Sequence, residues 1–258
     1  MFKKKSLGQN FLHNPYYLSL IADSASISAG EQVLEVGPGE GALTRELLNR
    51  GAKVVAIEKD HRLIPVLSEK FAEEISSKQL TLMEGDALEI TLEDAGLKKP
   101  YKVVANIPYY ITGALIKKFL SEESPAQLLV LLVQKEVAER IAREKKESIL
   151  SLSVKVYGEP VYVKTVPRGA FSPAPKVDSA ILLVQNVSRN NFADAATETR
   201  FFELIKLGFG QKRKLLRRNI EKLFPGGVEE AFERAGVPQN TRAENVLLEQ
   251  WLALTRLT

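Results

Sequence analysis

Five short β-rich runs alternate with helical patterns through the first two-thirds of the chain, and this alternation constrains the fold more than any other feature. The runs are Gln32–Val36, Lys53–Ile57, Leu80–Met83, Lys102–Ala105 and Leu128–Val133, with helical patterns over Ala42–Asn49 and His61–Phe71. Strands separated by helices build a parallel, doubly wound α/β sheet. The run Leu128–Val133 is all Leu and Val, as a strand buried on both faces requires. Two further β-like runs, Leu152–Tyr157 and Ala180–Val184, are expected to close the sheet with an antiparallel edge. Ser188-Arg-Asn-Asn carries neither periodicity and reads as a linker. Beyond it, Phe201–Phe209, Lys212–Phe224, Val228–Ala235 and Ala243–Leu254 read as helices divided by Pro-Gly-Gly and Gly-Val-Pro breakers. The expected organisation is an α/β domain over residues 1–188 and a small all-helical domain over 189–258.

Composition removes several classes of chemistry. The 258 residues include no cysteine, which excludes a disulfide framework, a thiol nucleophile and Cys-based metal sites. With only His13 and His61, a Ser–His–Asp triad or a His-rich metal centre is not expected, so no metal is assigned. The longest strictly apolar run, Leu128–Val133, falls far short of the ~20 residues a bilayer needs. Lys3, Lys4 and Lys5 open the chain without an apolar stretch behind them, unlike a secretory signal. The expectation is a soluble, cytoplasmic protein, and nothing suggests an obligate oligomer.

Between the first strand and the first helix lies Glu35-Val-Gly-Pro-Gly-Glu-Gly41. Gly37 and Gly39 let the backbone turn sharply and approach a ligand closely, and the helix that follows presents free N–H groups there. Glu58 ends the second strand, 21 residues beyond Gly37, where a carboxylate meets the hydroxyls of a ribose. Strand, glycines and acid in register point to a nucleoside-type ligand. Gly37-Pro-Gly-Glu-Gly-Ala42 also satisfies the dinucleotide pattern, so a nicotinamide-dependent dehydrogenase is a rival reading. Against it, Glu35 suits an amine-bearing ligand tail, and Pro38 and Glu40 crowd the place a pyrophosphate would take.

Lys102-Val-Val-Ala-Asn-Ile-Pro-Tyr-Tyr110 ends the fourth strand at the carboxyl edge of the sheet, where open α/β folds bind ligands. Asn106 offers a carbonyl acceptor, and Pro108 biases the residue before it to extended geometry, presenting a second. Together they can accept both hydrogens of an exocyclic amine. Tyr109 supplies a face on which a base can stack, worth ~1–3 kcal/mol. An adenine amine is a poor nucleophile because its lone pair is delocalised into the ring. Two acceptors on its hydrogens favour a pyramidal nitrogen that points its lone pair at a methyl donor, and positioning then supplies most of the catalysis.

Glu-x-Gly-x-Gly-x-Gly resembles the first motif of S-adenosylmethionine-dependent methyltransferases. Ser6-Leu-Gly-Gln-Asn-Phe-Leu12, Glu35–Gly41, Asn106-Ile-Pro-Tyr109 and Phe171-Ser-Pro-Ala-Pro-Lys-Val-Asp-Ser179 stand in an order that resembles the rRNA adenine N6,N6-dimethyltransferases, specifically their bacterial small-subunit branch. The resemblance covers essentially the whole chain. It implies a Rossmann-like methyltransferase domain and S-adenosyl-L-methionine as cofactor, with S-adenosyl-L-homocysteine as product. It further implies that Asn10, Leu12, Glu35, Gly37, Gly39, Glu58, Asp86, Ala87 and Asn106 form the cofactor site, with Asp86 on the adenine amine. Asn106, Pro108, Tyr109 and Phe171 would serve catalysis, Phe171 as a second aromatic wall against the target base. The residues alone lead to Gly37, Glu58, Asn106 and Tyr109, whereas Asn10, Leu12 and Phe171 rest on the resemblance.

The formal net charge of +4 is too small to diagnose nucleic-acid binding, but its distribution is uneven. Lys206, Lys212, Arg213, Lys214, Arg217, Arg218 and Lys222 stand against one acid, Glu221, in what reads as a single helical stretch. Such clusters neutralise phosphates. Lys212, Arg213, Lys214, Arg217 and Arg218 are therefore the expected RNA contacts. The target must be single-stranded or flipped out, because a base inside a duplex cannot enter a pocket. The resemblance makes the partner rRNA in the small ribosomal subunit or its precursor. Rival readings are a large-subunit dimethylase of the macrolide-resistance type and a mainly architectural assembly factor. A DNA adenine methyltransferase fits less well, since Asn-Ile-Pro-Tyr lacks the double proline usual there.

Overall fold

The computed structural model describes residues 10–121 and 125–258; Lys3, Lys4, Lys5 and the part of the Ser6–Leu12 segment before Asn10 lie outside them. The strands are β1 (Phe11–Leu12), β2 (Gln32–Val36), β3 (Lys53–Glu58), β4 (Leu80–Glu84), β5 (Tyr101–Asn106), β6 (Leu128–Gln134), β7 (Glu159–Val166), β8 (Phe171–Ser172) and β9 (Ser179–Gln185). The helices are α1 (Pro15–Ser24), α2 (Ala42–Asn49), α3 (Ile64–Lys70), α4 (Ala72–Ser76), α5 (Thr112–Ser121), α6 (Lys135–Ala142) and α7 (Ile149–Lys155). They continue with α8 (Ala195–Gly208), α9 (Leu216–Ile220), α10 (Val228–Arg234) and α11 (Leu248–Thr255). The chain forms two compact units, residues 1–138 with 160–187, and residues 139–159 with 188–258.

The first unit is built on a seven-stranded sheet of order β4-β3-β2-β5-β6-β9-β7. Strands β4, β3, β2, β5 and β6 run parallel, and β9 joins β6 antiparallel. After β2 the chain winds outward through β3 and β4, then returns to place β5 on the other side of β2. The carboxyl ends of β2 and β5 thus flank the topological switch point, where a crevice opens in folds of this class. The central residues of β6, Leu129 to Val133, are buried throughout, and the sheet packs Val33, Val54, Val104 and Val130 against Ile21 and Ala22 of α1 and Leu43 and Leu47 of α2. Helix α1 begins at Asn14, whose Oδ1 accepts from the Tyr16 N–H at 3.0 Å, with Pro15 at its first position.

The expected strand over Leu152–Tyr157 is not formed: these residues belong to α7 and the turn after it. The local β preference of Val and Tyr loses to a capping box in which Ser148 Oγ accepts from Ser151 N–H and Ser151 Oγ accepts from Ser148 N–H. Glu147 holds the helix further, taking Ser151 Oγ at 2.7 Å and Lys155 Nζ at 2.6 Å. The sheet edge is β7 instead. In the second unit α7 packs with α8 although it precedes the linker. Trp251 of α11, fully buried, stacks on Phe209 with centroids 5.9 Å apart. No helix of the described residues is long and apolar enough to cross a membrane.

The basic run does not form one helix. It spans the end of α8, a turn at 211–214, α9 and a short 3-10 segment, Glu221–Leu223. Gly208, the last residue of α8, packs bare backbone against the Trp251 ring, where a Cβ would sit 2.4 Å away, and the chain turns after it. Asn219 Nδ2 donates to the freed Gly208 carbonyl at 2.7 Å.

Candidate active site

A cavity of about 1050 Å³, its open mouth included, lies at the switch point. Its walls come from the turn after β2, the ends of β3 and β5, the loop after β4, and β1 with the residues beside it. The structure brings Asn10, Leu12, Gly37, Gly39, Glu58, Asp86, Ala87, Asn106, Pro108 and Tyr109 together around this one space.

The glycine turn is folded by its surroundings. Gly37 N–H donates to the Ile57 carbonyl at 2.9 Å, fixing β2 to β3 at the moment the chain turns. Gly37 has φ +71°, and a Cβ there would project into open space bounded by the Asn106 carbonyl at 3.8 Å. Gly39 has φ +60°, and a Cβ would stand 2.7 Å from the Phe11 ring, so a side chain at either position obstructs the cavity or its wall.

Glu58 is 6% exposed, and its carboxylate is aimed by the backbone: Oε2 accepts from Gly39 N–H at 3.0 Å and Oε1 from Asp60 N–H at 2.8 Å. Each oxygen keeps a lone pair for a ligand hydroxyl. Burial pushes this carboxyl above its ordinary range despite its backbone N–H donors. Asp86, in the loop after β4, accepts from Lys59 Nζ at 2.5 Å and from Leu88 N–H at 2.9 Å, and the Lys59 hydrogen bond holds it below the usual carboxylate range. Lys118 of α5 braces that loop by donating to the Leu88 and Ile90 carbonyls.

Asn106 closes β5. Its Nδ2 donates to the Asn10 carbonyl at 3.3 Å, which orients the amide and leaves Oδ1 to accept from a ligand. Pro108 (φ −57°, ψ 132°) carries the chain into a single 3-10 turn, Tyr109–Ile111. The Tyr109 hydroxyl shares a 2.6 Å hydrogen bond with Ser179 Oγ, fixing the ring, and burial raises the phenol pKa. Strand β1 pairs with β8, Leu12 opposite Phe171 and Phe11 opposite Ser172. Three motifs distant in sequence are therefore in direct backbone or side-chain contact: Ser6–Leu12 through β1, the tetrad Asn106-Ile-Pro-Tyr109 through Asn106, and the Phe171 segment through β8.

Two expected site residues are not brought to the cavity. Glu35, 1% exposed, is buried beside Thr44 of α2. In a strand successive side chains point to opposite faces, so Val36 reaches the cavity and Glu35 does not. Phe171, 6% exposed, is packed into the core with Leu12 and Val166 rather than lining the space. Sequence reasoning missed Phe11, Lys59 and Tyr110, all of which line it. Phe11 lies between two residues the first motif singles out, and Lys59 directly follows Glu58, so adjacency was the available signal. The expected RNA contacts Lys212, Arg213, Lys214 and Arg218 are exposed, while Arg217 is partly buried with Nη1 4.0 Å from Glu229.

Comparison with known proteins decides the family. The ribosomal RNA adenine dimethylase family matches residues 1–258. The chain belongs to the ribosomal RNA adenine dimethylases. Among curated relatives of this dimethylase, the ribosomal RNA small subunit methyltransferase A of Dehalococcoides mccartyi is 39% identical over 256 residues, covering 97% of this chain and 87% of the relative. The protein of that name from Fusobacterium nucleatum is 36% identical, covering 98% and 97%. Among solved structures, the 23S rRNA methyltransferase ErmE superposes with a TM-score of 0.78 at 29% identity, covering 96% of this chain and 98% of that one. A dimethyladenosine transferase from Plasmodium falciparum gives 0.78 at 27% identity, covering 95% of each. The Rossmann-like α/β fold expected from the strand–helix alternation is thereby established for this dimethylase.

Proposed function

We propose that this dimethylase transfers methyl groups from S-adenosylmethionine to the exocyclic amines of two adjacent adenines in small-subunit rRNA, giving dimethyladenosines during ribosome biogenesis. The observation that carries the reading is the placement of Asn106, held by the Asn10 carbonyl with Oδ1 free, across the switch point from the glycine turn. The curated relatives at 36–39% identity carry a small-subunit name, which favours that target over the large-subunit one. The likeness to ErmE keeps the large-subunit target as the second reading, and a mainly architectural role in assembly as a third.

The residues present fit the cofactor: bare backbone at Gly37, a buried carboxylate aimed by two N–H groups at Glu58, and a second carboxylate at Asp86. When bound, S-adenosylmethionine supplies an electrophilic methyl group. Glu58 is then the group for the ribose hydroxyls and Asp86 for the adenine amine, with Ala87, Asn10, Leu12 and Gly39 completing the wall. On the substrate side, Asn106 Oδ1 accepts one hydrogen of the target amine and the carbonyl before Pro108 the other. The Tyr109 ring, fixed through Ser179, receives the base by stacking. No group in this set has to remove a proton before transfer; the amine nitrogen is oriented rather than deprotonated.

Functionally, residues 1–188 carry this site, and 189–258 recognise RNA through Lys212, Arg213, Lys214, Arg217 and Arg218. The protein acts in the cytoplasm as a monomer without a metal. Asn106→Ala tests the central assignment. Methyl transfer to unmodified small subunits is expected to fall at least 100-fold while RNA affinity stays within twofold, since removing one positioned polar group acts on the transition state. Equal loss of both contradicts the role given to Asn106.

A further inference from the structure

Tyr109 and Tyr110 are neighbours with opposite fates. Tyr109 is half-buried with its hydroxyl on Ser179, whereas Tyr110 is 66% exposed yet lines the same cavity. Among the described residues its hydroxyl makes no hydrogen bond and its ring meets no other ring. So large a ring left in water gains little from burial in the folded chain. The backbone beneath it is nonetheless well fixed. Ile111 N–H donates to the Pro108 carbonyl at 3.2 Å, Thr112 N–H donates to the Tyr109 carbonyl, and α5 starts at once. A 3-10 turn rotates successive residues by a third of a circle, so one ring enters the wall and the next stands on the lip. Lys59, exposed and paired with Asp86, lines the same cavity as Tyr110.

We propose that Tyr110 is a stacking platform for the nucleobase flanking the target adenine, holding the RNA strand at the mouth while Tyr109 holds the flipped base inside. Consecutive Cα atoms are about 3.8 Å apart, so a nucleotide adjoining one seated at Tyr109 is within reach of the neighbouring ring. Stacking suits this place because every base has a face to offer, and the backbone that carries the ring is already fixed. The inference rests on the cavity's being an adenine site, and it adds a substrate-positioning residue that the tetrad does not name.

The test is steady-state methyl transfer to purified small ribosomal subunits lacking the modification, with S-adenosylmethionine affinity measured separately by titration. Tyr110→Leu keeps an apolar side chain but removes the ring; Tyr110→Phe keeps the ring. For Tyr110→Leu the KM for the subunits is expected to rise roughly 5- to 150-fold, the equivalent of ~1–3 kcal/mol, with kcat at saturating substrate and cofactor affinity unchanged. Tyr110→Phe is expected to bring KM back to within twofold of wild type. A wild-type KM for Tyr110→Leu, an equal rise for Tyr110→Phe, or a weakened cofactor would each overturn the proposal. Failure of the underlying adenine-site reading is distinguishable, because the wild-type protein itself would then transfer no methyl groups to the subunits. Since the side chain is exposed, both variants are expected to melt within a degree or two of wild type.

Discussion

Glu35 is a carboxyl held where burial opposes its charge. Burial, with the nearby Glu58 carboxylate adding repulsion, pushes its carboxyl up to about 8 from a value of 4.5. The folded chain therefore retains a proton that the unfolded chain releases as pH rises above 4.5. The stability associated with the neutral carboxyl is fully present below about 4.5 and declines until pH reaches about 8. Each unit of difference is worth about 1.4 kcal/mol, so the effect is at most a few kcal/mol. Glu35→Gln is expected to flatten the fall in thermal midpoint between pH 5 and 8 and to melt above wild type at pH 8. The slope that remains belongs to groups such as Glu58, also raised by burial. Parallel melting curves for the two proteins across that range would contradict this account. The sequence placed Glu35 in the motif but not its direction, which strand alternation and the packing of α2 decide. Gly37, Glu58 and Asn106 were legible because each sits at a strand end, where chain position alone locates the side chain at the crevice.

Elements were legible where local and tertiary preferences agree. Strand β2 matches its sequence reading residue for residue, and β3 through β6 differ by one residue at an end or two. Agreement failed where a few polar side chains reverse a local preference, as the Ser148–Ser151 box does for α7. It failed again over Lys212–Phe224, read as one helix but folded as a turn, α9 and a 3-10 segment. The helix read as ending at Phe209 stops within one residue of it, at Gly208, which packs against Trp251, more than 40 residues away in sequence. That contact is testable. Gly208→Ala would place a methyl 2.4 Å from the Trp251 ring and 2.9 Å from Leu216, and overpacking of this kind is expected to cost about 1–3 kcal/mol. Denaturant unfolding reads it as a lower midpoint with an unchanged slope. An unchanged midpoint would mean that α8 and α11 adjust freely, contrary to the packing described. The pairing of β1 with β8 was beyond the reach of periodicity, because a two-residue strand has no period to detect.

At the scale of the molecule, the dominant electrostatic feature of the second unit is its uneven basic charge, now seen to be spread over a helix end, a turn and a short helix. Lys212, Arg213 and Lys214 are exposed on the turn, and replacing all three by Gln is expected to weaken RNA binding and to lower the slope of log affinity against log salt by roughly 0.7–0.9 for each lost phosphate contact. Cofactor affinity should not move; an unchanged salt slope would remove these residues from the interface. The most direct test of the central claim is methyl transfer from labelled S-adenosylmethionine to purified small and large ribosomal subunits lacking the modification, followed by nucleoside analysis. Dimethyladenosine in the small-subunit rRNA alone is the predicted result. Label in the large subunit only, or none in either while the protein still binds S-adenosylmethionine, would contradict it.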